Sequence, residues 1–137
     1  MREFRPGEAI APLELEISLP MMVAYAGATW DWHRYHYDLQ FAREMGLPAP
    51  FVDGQMLGGL LARTVLRWAG PEAMLRRLWL RYRALLFPGE TITCTGVVEE
   101  VRRQESSLLL LCRLEVRAGD GRAVVDQAGA EVEVPAP

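Results

Sequence analysis

The sequence predicts an α+β fold in which one long apolar helix packs against an antiparallel sheet. Residues 54–69 repeat apolar side chains at steps of three and four, the pattern of a helix with one buried face. Residues 76–134 instead form long segments rich in alternating or β-branched side chains, separated by turn-forming residues, as antiparallel strands are. The 137 residues are close to the size at which one hydrophobic core suffices, so we expect a single domain over 1–137.

The chain begins with one strand and one short helix. Residues 13–18 alternate apolar and polar side chains, which indicates a strand. Pro20 suits the first position of a short helix over 21–26, and Gly27 is its expected end.

A second short helix and a proline-rich loop follow. Asp38 is a good N-cap for a helix through Arg43, and Gly46 is the expected stop. Pro48 and Pro50 then exclude both a regular helix and a central strand.

The strongest predicted element is the helix from Gly54 to about Ala69, which Gly70 and Pro71 terminate. Its expected buried face consists of Leu57, Leu60, Leu61, Val65 and Trp68.

The rest of the chain predicts a meander of four antiparallel strands. Its segments are 76–86, 91–101, 107–117 and 123–134, with turns at Pro88-Gly89 and at 119–121. A long apolar helix wrapped by such a curved antiparallel sheet is the hot-dog arrangement. A generic α+β sandwich is the alternative.

Composition excludes several kinds of chemistry. The chain has no lysine, which rules out lysine Schiff bases and a P-loop lysine. Its net charge of −3 argues against a nucleic-acid partner held mainly through phosphates. No apolar run reaches the roughly 18 residues of a membrane span, and no targeting segment is evident. We therefore expect a cytoplasmic protein without a membrane partner.

Serine and cysteine offer no obvious catalytic site. The serines lie outside any nucleophile-elbow motif, and Cys94 and Cys112 fit no CxxC pattern or zinc-ligand spacing. Both cysteines fall in strand-like segments and are expected to be buried, reduced thiols. Acid–base chemistry is therefore left to carboxylates, tyrosines and histidines.

The titratable groups are concentrated in one aromatic-rich segment. Both histidines, His33 and His36, lie here, with Asp31, Asp38 and Asp53 close in sequence. Half of the twelve aromatic residues lie between positions 25 and 41. Polar groups surrounded by large aromatic side chains are typical of a site from which water is partly excluded and in which pKa values are perturbed.

This segment resembles the hydratase motif of the MaoC-like dehydratases, or (R)-specific enoyl-CoA hydratases. That motif runs Gly-Asp-x-Asn-Pro-x-His-x-Asp, followed by a helix and Gly-Phe-x-x-Pro-x-x-His-Gly. Asp31 and His36 match its catalytic aspartate and histidine at the same spacing of five, and the likeness covers residues 25–54. Residues 87–91, Phe-Pro-Gly-Glu-Thr, also resemble the family's turn before its third sheet strand.

The chain departs from the family motif at four positions. Trp30 replaces glycine, His33 asparagine, Arg34 proline, and Asp53 a frequent histidine. The run His-Arg-x-His-Tyr-Asp over 33–38 is similar to the subgroup of mesaconyl-CoA hydratase-like proteins. These departures bear on the substrate more than on the reaction.

The resemblance implies a hydro-lyase that adds water to a 2-enoyl thioester to give an (R)-3-hydroxyacyl thioester. Asp31 and His36 would hold the water, and backbone N–H groups at Gly54 would stabilise the enolate oxygen. The helix terminus independently supports this role for Gly54, because its first N–H groups lack intrahelical partners. No cofactor is implied beyond coenzyme A as part of the substrate.

Other readings of these residues stay open. Asp31 could cap a turn, and His36 could be a core histidine bonded to a carbonyl. His33, assigned to substrate binding, could orient Asp31, contact the thioester or pack against Trp30. A metal site made by His33, His36 and an aspartate is conceivable, but we expect none because no clear ligand set is evident.

Three functions compete. The first is an acyl-CoA hydratase acting as a homodimer or higher homo-oligomer, since similar hot-dog proteins pair their sheets edge to edge. The second is a thioesterase, which would carry a carboxylate near the middle of the central helix; residues 57–69 contain none. The third is a subunit that completes the pocket of a paralogous hot-dog partner. Retention of both Asp31 and His36 favours an active chain.

Overall fold

A computed structural model describes residues 2–137. It contains five strands, three α-helices and one short 3₁₀ turn. In chain order these are β1 (Ala9–Glu16), α1 (Leu19–Thr29), the 3₁₀ turn (Arg34–His36), α2 (Leu39–Glu44), α3 (Gly54–Ala69), β2 (Met74–Tyr82), β3 (Thr91–Arg103), β4 (Ser107–Ala118) and β5 (Ala123–Pro135).

The five strands form one antiparallel sheet in the order β1-β3-β4-β5-β2. Helix α3 packs against all five strands, so the chain has the hot-dog fold expected from its sequence. The predicted meander of four strands is wrong in one respect. Strand β2 pairs with β5 at the far edge, and β3 pairs with β1 instead of β2. Alternation along a strand specifies its buried face, but it does not specify its neighbour.

The core lies between α3 and the sheet. All five residues of the predicted helix face are buried, which confirms that prediction. Cys94 and Cys112 are buried free thiols, also as predicted. Burial raises the pKa of Cys94 to about 11 and that of Cys112 to about 12, so both stay protonated at neutral pH.

Helix α1 is longer than its sequence predicted. The Ser18 hydroxyl accepts a hydrogen bond from the Met21 N–H at 3.3 Å and caps the start. The helix passes Gly27 and ends where Trp30 adopts a left-handed conformation at φ 58°. The left-handed residue that ends a helix is usually glycine. Because tryptophan takes this place in α1, the sequence pattern predicted the helix end at Gly27 instead.

The remaining boundaries differ modestly from those predicted. Helix α2 begins after the Asp38 cap, as expected, and α3 has the predicted bounds. Strand β1 begins earlier than residue 13, and β2 ends at Tyr82 instead of residue 86. Over residues 2–137, no helix has the length and apolar character needed to cross a membrane.

Candidate active site

A narrow cavity at the start of α3 brings together three titratable side chains from separate parts of the sequence. Asp31 follows α1, His36 ends the 3₁₀ turn, and Asp53 caps α3. One carboxylate oxygen of each aspartate and one imidazole nitrogen all lie within 4.8 Å of one another. All three residues are half-buried, which leaves them accessible while limiting the water around them.

His36 is oriented by the loop that precedes α3. Its Nδ1 lies 2.9 Å from the backbone oxygen of Phe51. A carbonyl can only accept, so the neutral ring places its proton on Nδ1 and leaves Nε2 as an acceptor. The Phe51 ring also packs edge-on against the imidazole, with centroids 5.0 Å apart. The ring is therefore held by one hydrogen bond and one aromatic contact.

Asp31 is held by the end of α1. Its backbone N–H donates to the Ala26 carbonyl at 3.1 Å, and its Oδ1 accepts from the His33 N–H at 3.3 Å. Asp31 thus has the turn-capping role considered from its sequence, and His36 has the carbonyl bond considered for it. Both side chains nevertheless line the cavity, so these local roles fix the two groups where they can act.

Asp53 and Gly54 form the start of α3. Asp53 Oδ1 accepts from the Gln55 N–H at 2.9 Å, a regular N-cap. No hydrogen bond among residues 2–137 uses the Gly54 N–H. A Cβ at Gly54 would lie 2.6 Å from Cζ of Tyr82, so a larger residue there would require the exposed Tyr82 ring to move.

Sequence reasoning left Asp53 and Tyr25 out of the site. The sequence did hold a signal for Asp53. It lies directly before Gly54, at the position where the family motif often has a histidine. Tyr25 lines the cavity from α1. Burial, and secondarily the charges of Asp53, Tyr82 and Asp31, raises the pKa of Tyr25, so it remains a neutral phenol at neutral pH. Nothing in the sequence singled out Tyr25 among its aromatic neighbours.

Apolar side chains complete the cavity wall. They are Met22, Ala26 and Met56.

His33 lies outside this cavity in the structure. Its exposed ring stacks on Tyr35, with centroids 4.8 Å apart and planes 5° from parallel. Its Nδ1 lies 3.4 Å from the Tyr35 N–H, and its ring centroid is 5.9 Å from that of His36. The side chain therefore packs on Tyr35, not on Trp30, and its assignment to substrate binding stays a prediction.

The geometry also changes the ligand set that a metal could use. Asp31, His36 and Asp53 could each offer one ligand atom to a divalent cation, whereas His33 is not part of this set. The expectation that the protein works without a metal stays a prediction.

A hot-dog fold with a carboxylate and an imidazole facing one cavity is suited to acid–base chemistry on a bound substrate. Residues 3–111 match the family described as the MaoC like domain. The chain belongs to this family of hydratases and dehydratases.

Individual relatives agree with this assignment. The chain is 32% identical over 95 residues to the "3-oxo-4,17-pregnadiene-20-carboxyl-CoA hydratase beta subunit" of Mycobacterium tuberculosis, covering 69% of this chain and 74% of that one. A chain in the crystal structure of the ChsH1-ChsH2 complex from the same organism is similar to this chain, with a TM-score of 0.85 and 25% identity. The match covers 98% of this chain and 100% of the matched chain. The fold is also shared with an (R)-hydratase from A. caviae involved in PHA biosynthesis, at a TM-score of 0.85 and 19% identity over 98% of each chain.

Proposed function

We propose that this protein is a hydro-lyase that interconverts 2-enoyl-CoA and (R)-3-hydroxyacyl-CoA, with Asp31 and His36 as its catalytic residues. The observation that carries the proposal is the shared cavity in which the Asp31 carboxylate and the His36 imidazole lie within 4.8 Å of each other. Membership of the MaoC-like family supports the general chemistry.

The two side chains can hold one water molecule as a nucleophile. With Nδ1–H committed to the Phe51 carbonyl, His36 Nε2 accepts a hydrogen bond from one O–H of the water, and that proton stays on the oxygen. The Asp31 carboxylate accepts a hydrogen bond from the other O–H and acts as the base. The water oxygen then presents its lone pair to C3 of the enoyl thioester. As the C–O bond forms, the second proton passes to Asp31.

The electrons of the double bond move toward the thioester carbonyl and build an enolate. The N-terminus of α3 offers stabilisation for that oxygen, because the Gly54 N–H has no hydrogen bond within residues 2–137 and the helix dipole is positive there. The proton held by Asp31 then returns to C2. Loss of one such oxyanion donor typically lowers the rate by ~10²–10³-fold.

The test is hydration of a panel of short, long and branched 2-enoyl-CoA substrates, followed by loss of enoyl-thioester absorbance. Asp31→Asn and His36→Ala are expected to lower kcat/KM by about 10²–10⁴-fold, because the first removes the base and the second removes a hydrogen-bond acceptor that orients the water. A stereospecific assay of the product checks the (R) configuration.

Unchanged thermal unfolding of both variants is the control for folding. Hydration that survives in both variants would overturn the assignment of these residues.

A second candidate is a subunit of a heteromeric hydratase. The similarity to a protein named as a beta subunit, and to a chain from a two-protein complex, favours it. A wild-type protein that hydrates nothing alone but gains activity with a paralogous hot-dog partner would support this candidate. The pocket would then be completed by the second chain.

A further inference from the structure

We propose that the Tyr25 hydroxyl is a further catalytic group, which donates a hydrogen bond to the thioester oxygen while negative charge builds on that atom. This inference rests on the proposed hydratase function and deepens it, since it adds a side-chain donor to the backbone N–H of Gly54. It follows from the donor and acceptor character of the groups that line the cavity at the start of α3.

That cavity is lined mainly by hydrogen-bond acceptors and apolar groups. The ionised carboxylates of Asp31 and Asp53 can only accept, and the Nδ1–H of His36 is already used by the Phe51 carbonyl. Three further wall residues are apolar. Among residues 2–137, the one free side-chain donor that lines this cavity is therefore the Tyr25 hydroxyl.

The Tyr25 hydroxyl is available to a ligand. No hydrogen bond within residues 2–137 uses it, and the same residues contain no buried side-chain nitrogen or oxygen that lacks a partner. The half-buried Tyr25 therefore presents an accessible hydroxyl. Burial, followed by the charge of Asp53, raises the pKa of this phenol, so the group keeps its proton at neutral pH and can donate it to a hydrogen bond.

Helix α1 holds the Tyr25 ring in place. Met22, Tyr25 and Ala26 follow the i, i+3, i+4 spacing of one helix face, and all three line the cavity. Met22 and Ala26 are buried, which anchors this face of the helix. The Asp31 N–H donates to the Ala26 carbonyl at 3.1 Å. The Tyr25 ring and the Asp31 carboxylate are therefore carried by one connected piece of backbone.

The cavity also borders the first turn of α3, where the second donor lies. Asp53 and Met56 line it together with Tyr25, and Gly54 stands between these two positions in the sequence. After burial, the charge of Asp53 contributes most to the raised pKa of Tyr25, which agrees with a hydroxyl close to this helix start. The Tyr25 O–H and the Gly54 N–H can thus converge on one substrate oxygen.

The chemistry of hydration leaves one productive target for this donor. The nucleophilic water already donates both of its O–H groups, to Asp31 and to His36, and its lone pair must face C3. A hydrogen bond from Tyr25 to that lone pair would hold back the attack. The atom that gains negative charge is the thioester oxygen, and a donor aimed at it stabilises the enolate more than the substrate.

The first experiment measures hydration of a 2-enoyl-CoA by Tyr25→Phe, which keeps the ring and removes the hydroxyl. Loss of one oxyanion donor is expected to lower kcat by about 10²–10³-fold. KM should change by less than about threefold, because the lost bond strengthens mainly in the transition state. A Tyr25→Phe variant with the kcat of wild type would overturn the inference.

Tyr37→Phe is the matched control for this substitution. Tyr37 is also half-buried, but its ring packs on Trp32 with centroids 5.7 Å apart and does not line the cavity. This variant should hydrate the substrate like wild type. Thermal unfolding of Tyr25→Phe at the wild-type temperature is the control for folding.

A spectroscopic measurement separates donation to the thioester from a structural role. The probe is p-dimethylaminocinnamoyl-CoA, a conjugated enoyl thioester whose absorption moves to longer wavelength when a donor polarises its carbonyl. We expect this shift on binding to wild type and to Tyr37→Phe, and a smaller shift on binding to Tyr25→Phe. Asp31→Asn lacks the base but keeps the donor, so it should retain the full shift. A full shift in Tyr25→Phe would overturn the assignment.

The two measurements distinguish this inference from the proposed hydratase function. A wild type that hydrates no 2-enoyl-CoA would count against the proposed function, and the absorption shift would then decide on Tyr25 alone. A shift that depends on the Tyr25 hydroxyl supports the donor, and a shift that does not depend on it rejects the donor. A protein that neither hydrates nor binds these thioesters would overturn both proposals.

Discussion

Two aspartates face the candidate active site, and their surroundings give them different tasks. Asp31 is held by backbone groups at the end of α1, and its second carboxylate oxygen takes part in no hydrogen bond within residues 2–137. Asp53 uses one oxygen to cap α3 beside Gly54. A negative charge at that position opposes the enolate that the helix terminus would stabilise. Asp31 is therefore the better base of the two.

This difference predicts the behaviour of a matched pair of substitutions. Asp53→Asn keeps an oxygen that can cap α3 and removes the charge, so its kcat/KM is expected to stay within about tenfold of wild type. Asp31→Asn should lose about 10²–10⁴-fold in the same assay. Asp53→Ala should instead lower the free energy of unfolding by about 1 kcal/mol through loss of the cap. Equal losses of activity in the two asparagine variants would mean that both carboxylates act as bases.

At the scale of elements, the segment from α1 to α2 determines where the catalytic groups lie. The Asp38 N–H donates to the Arg34 carbonyl at 3.0 Å, and its Oδ1 accepts from the Phe41 N–H at 3.0 Å. Asp38 also pairs with the Arg34 side chain at 2.9 Å. The residue thus ties the 3₁₀ turn that carries His36 to the helix that follows it.

These contacts make a prediction about stability at acid pH. The Phe41 N–H, followed by the Arg34 side chain, lowers the pKa of Asp38 below its usual value of 3.8. A group with a lowered folded-state pKa stabilises the protein above its unfolded pKa, and this contribution disappears as the pH falls through the folded value. Asp38→Ala should lower Tm at neutral pH and weaken the fall of Tm below about pH 4.

Asp38→Asn is the matched control, because it retains a capping oxygen but loses the charge. It should resemble wild type at neutral pH more closely than Asp38→Ala does, while showing the same weaker acid dependence. Identical acid dependence in all three proteins would contradict the role given to the Asp38 charge.

At the scale of the whole molecule, the sheet has two open edges. Strands β1 and β2 each have only one neighbour within residues 2–137. Unpaired strand edges are templates for pairing with another chain. On β2, the exposed Met74 and Tyr82 side chains add apolar surface near this edge.

We therefore expect the purified protein to form a homodimer by edge-to-edge pairing. Light scattering after size exclusion should give about twice the chain mass of 15.4 kDa. An active monomer at all concentrations would contradict this expectation. An inactive monomer that assembles with a paralogous chain would favour the heteromeric candidate over the homodimer.

The amino-acid sequence alone determined the features that depend on local spacing. The repeat of apolar residues specified α3 and its buried face, Asp38 was positioned to cap the helix it precedes, and the interval between Asp31 and His36 indicated a hydratase motif. Such patterns are readable because a side chain's direction on a helix or strand follows from its position.

Only the tertiary structure decided which distant groups meet. It placed β2 beside β5, brought Asp53 within 4.8 Å of Asp31 and His36, and left His33 stacked on Tyr35 outside the cavity. It also packed α1 beside α3, so that residues far apart in sequence line one groove. These contacts depend on how elements far apart in sequence pack together, and the spacing within each element carries no information about its partner.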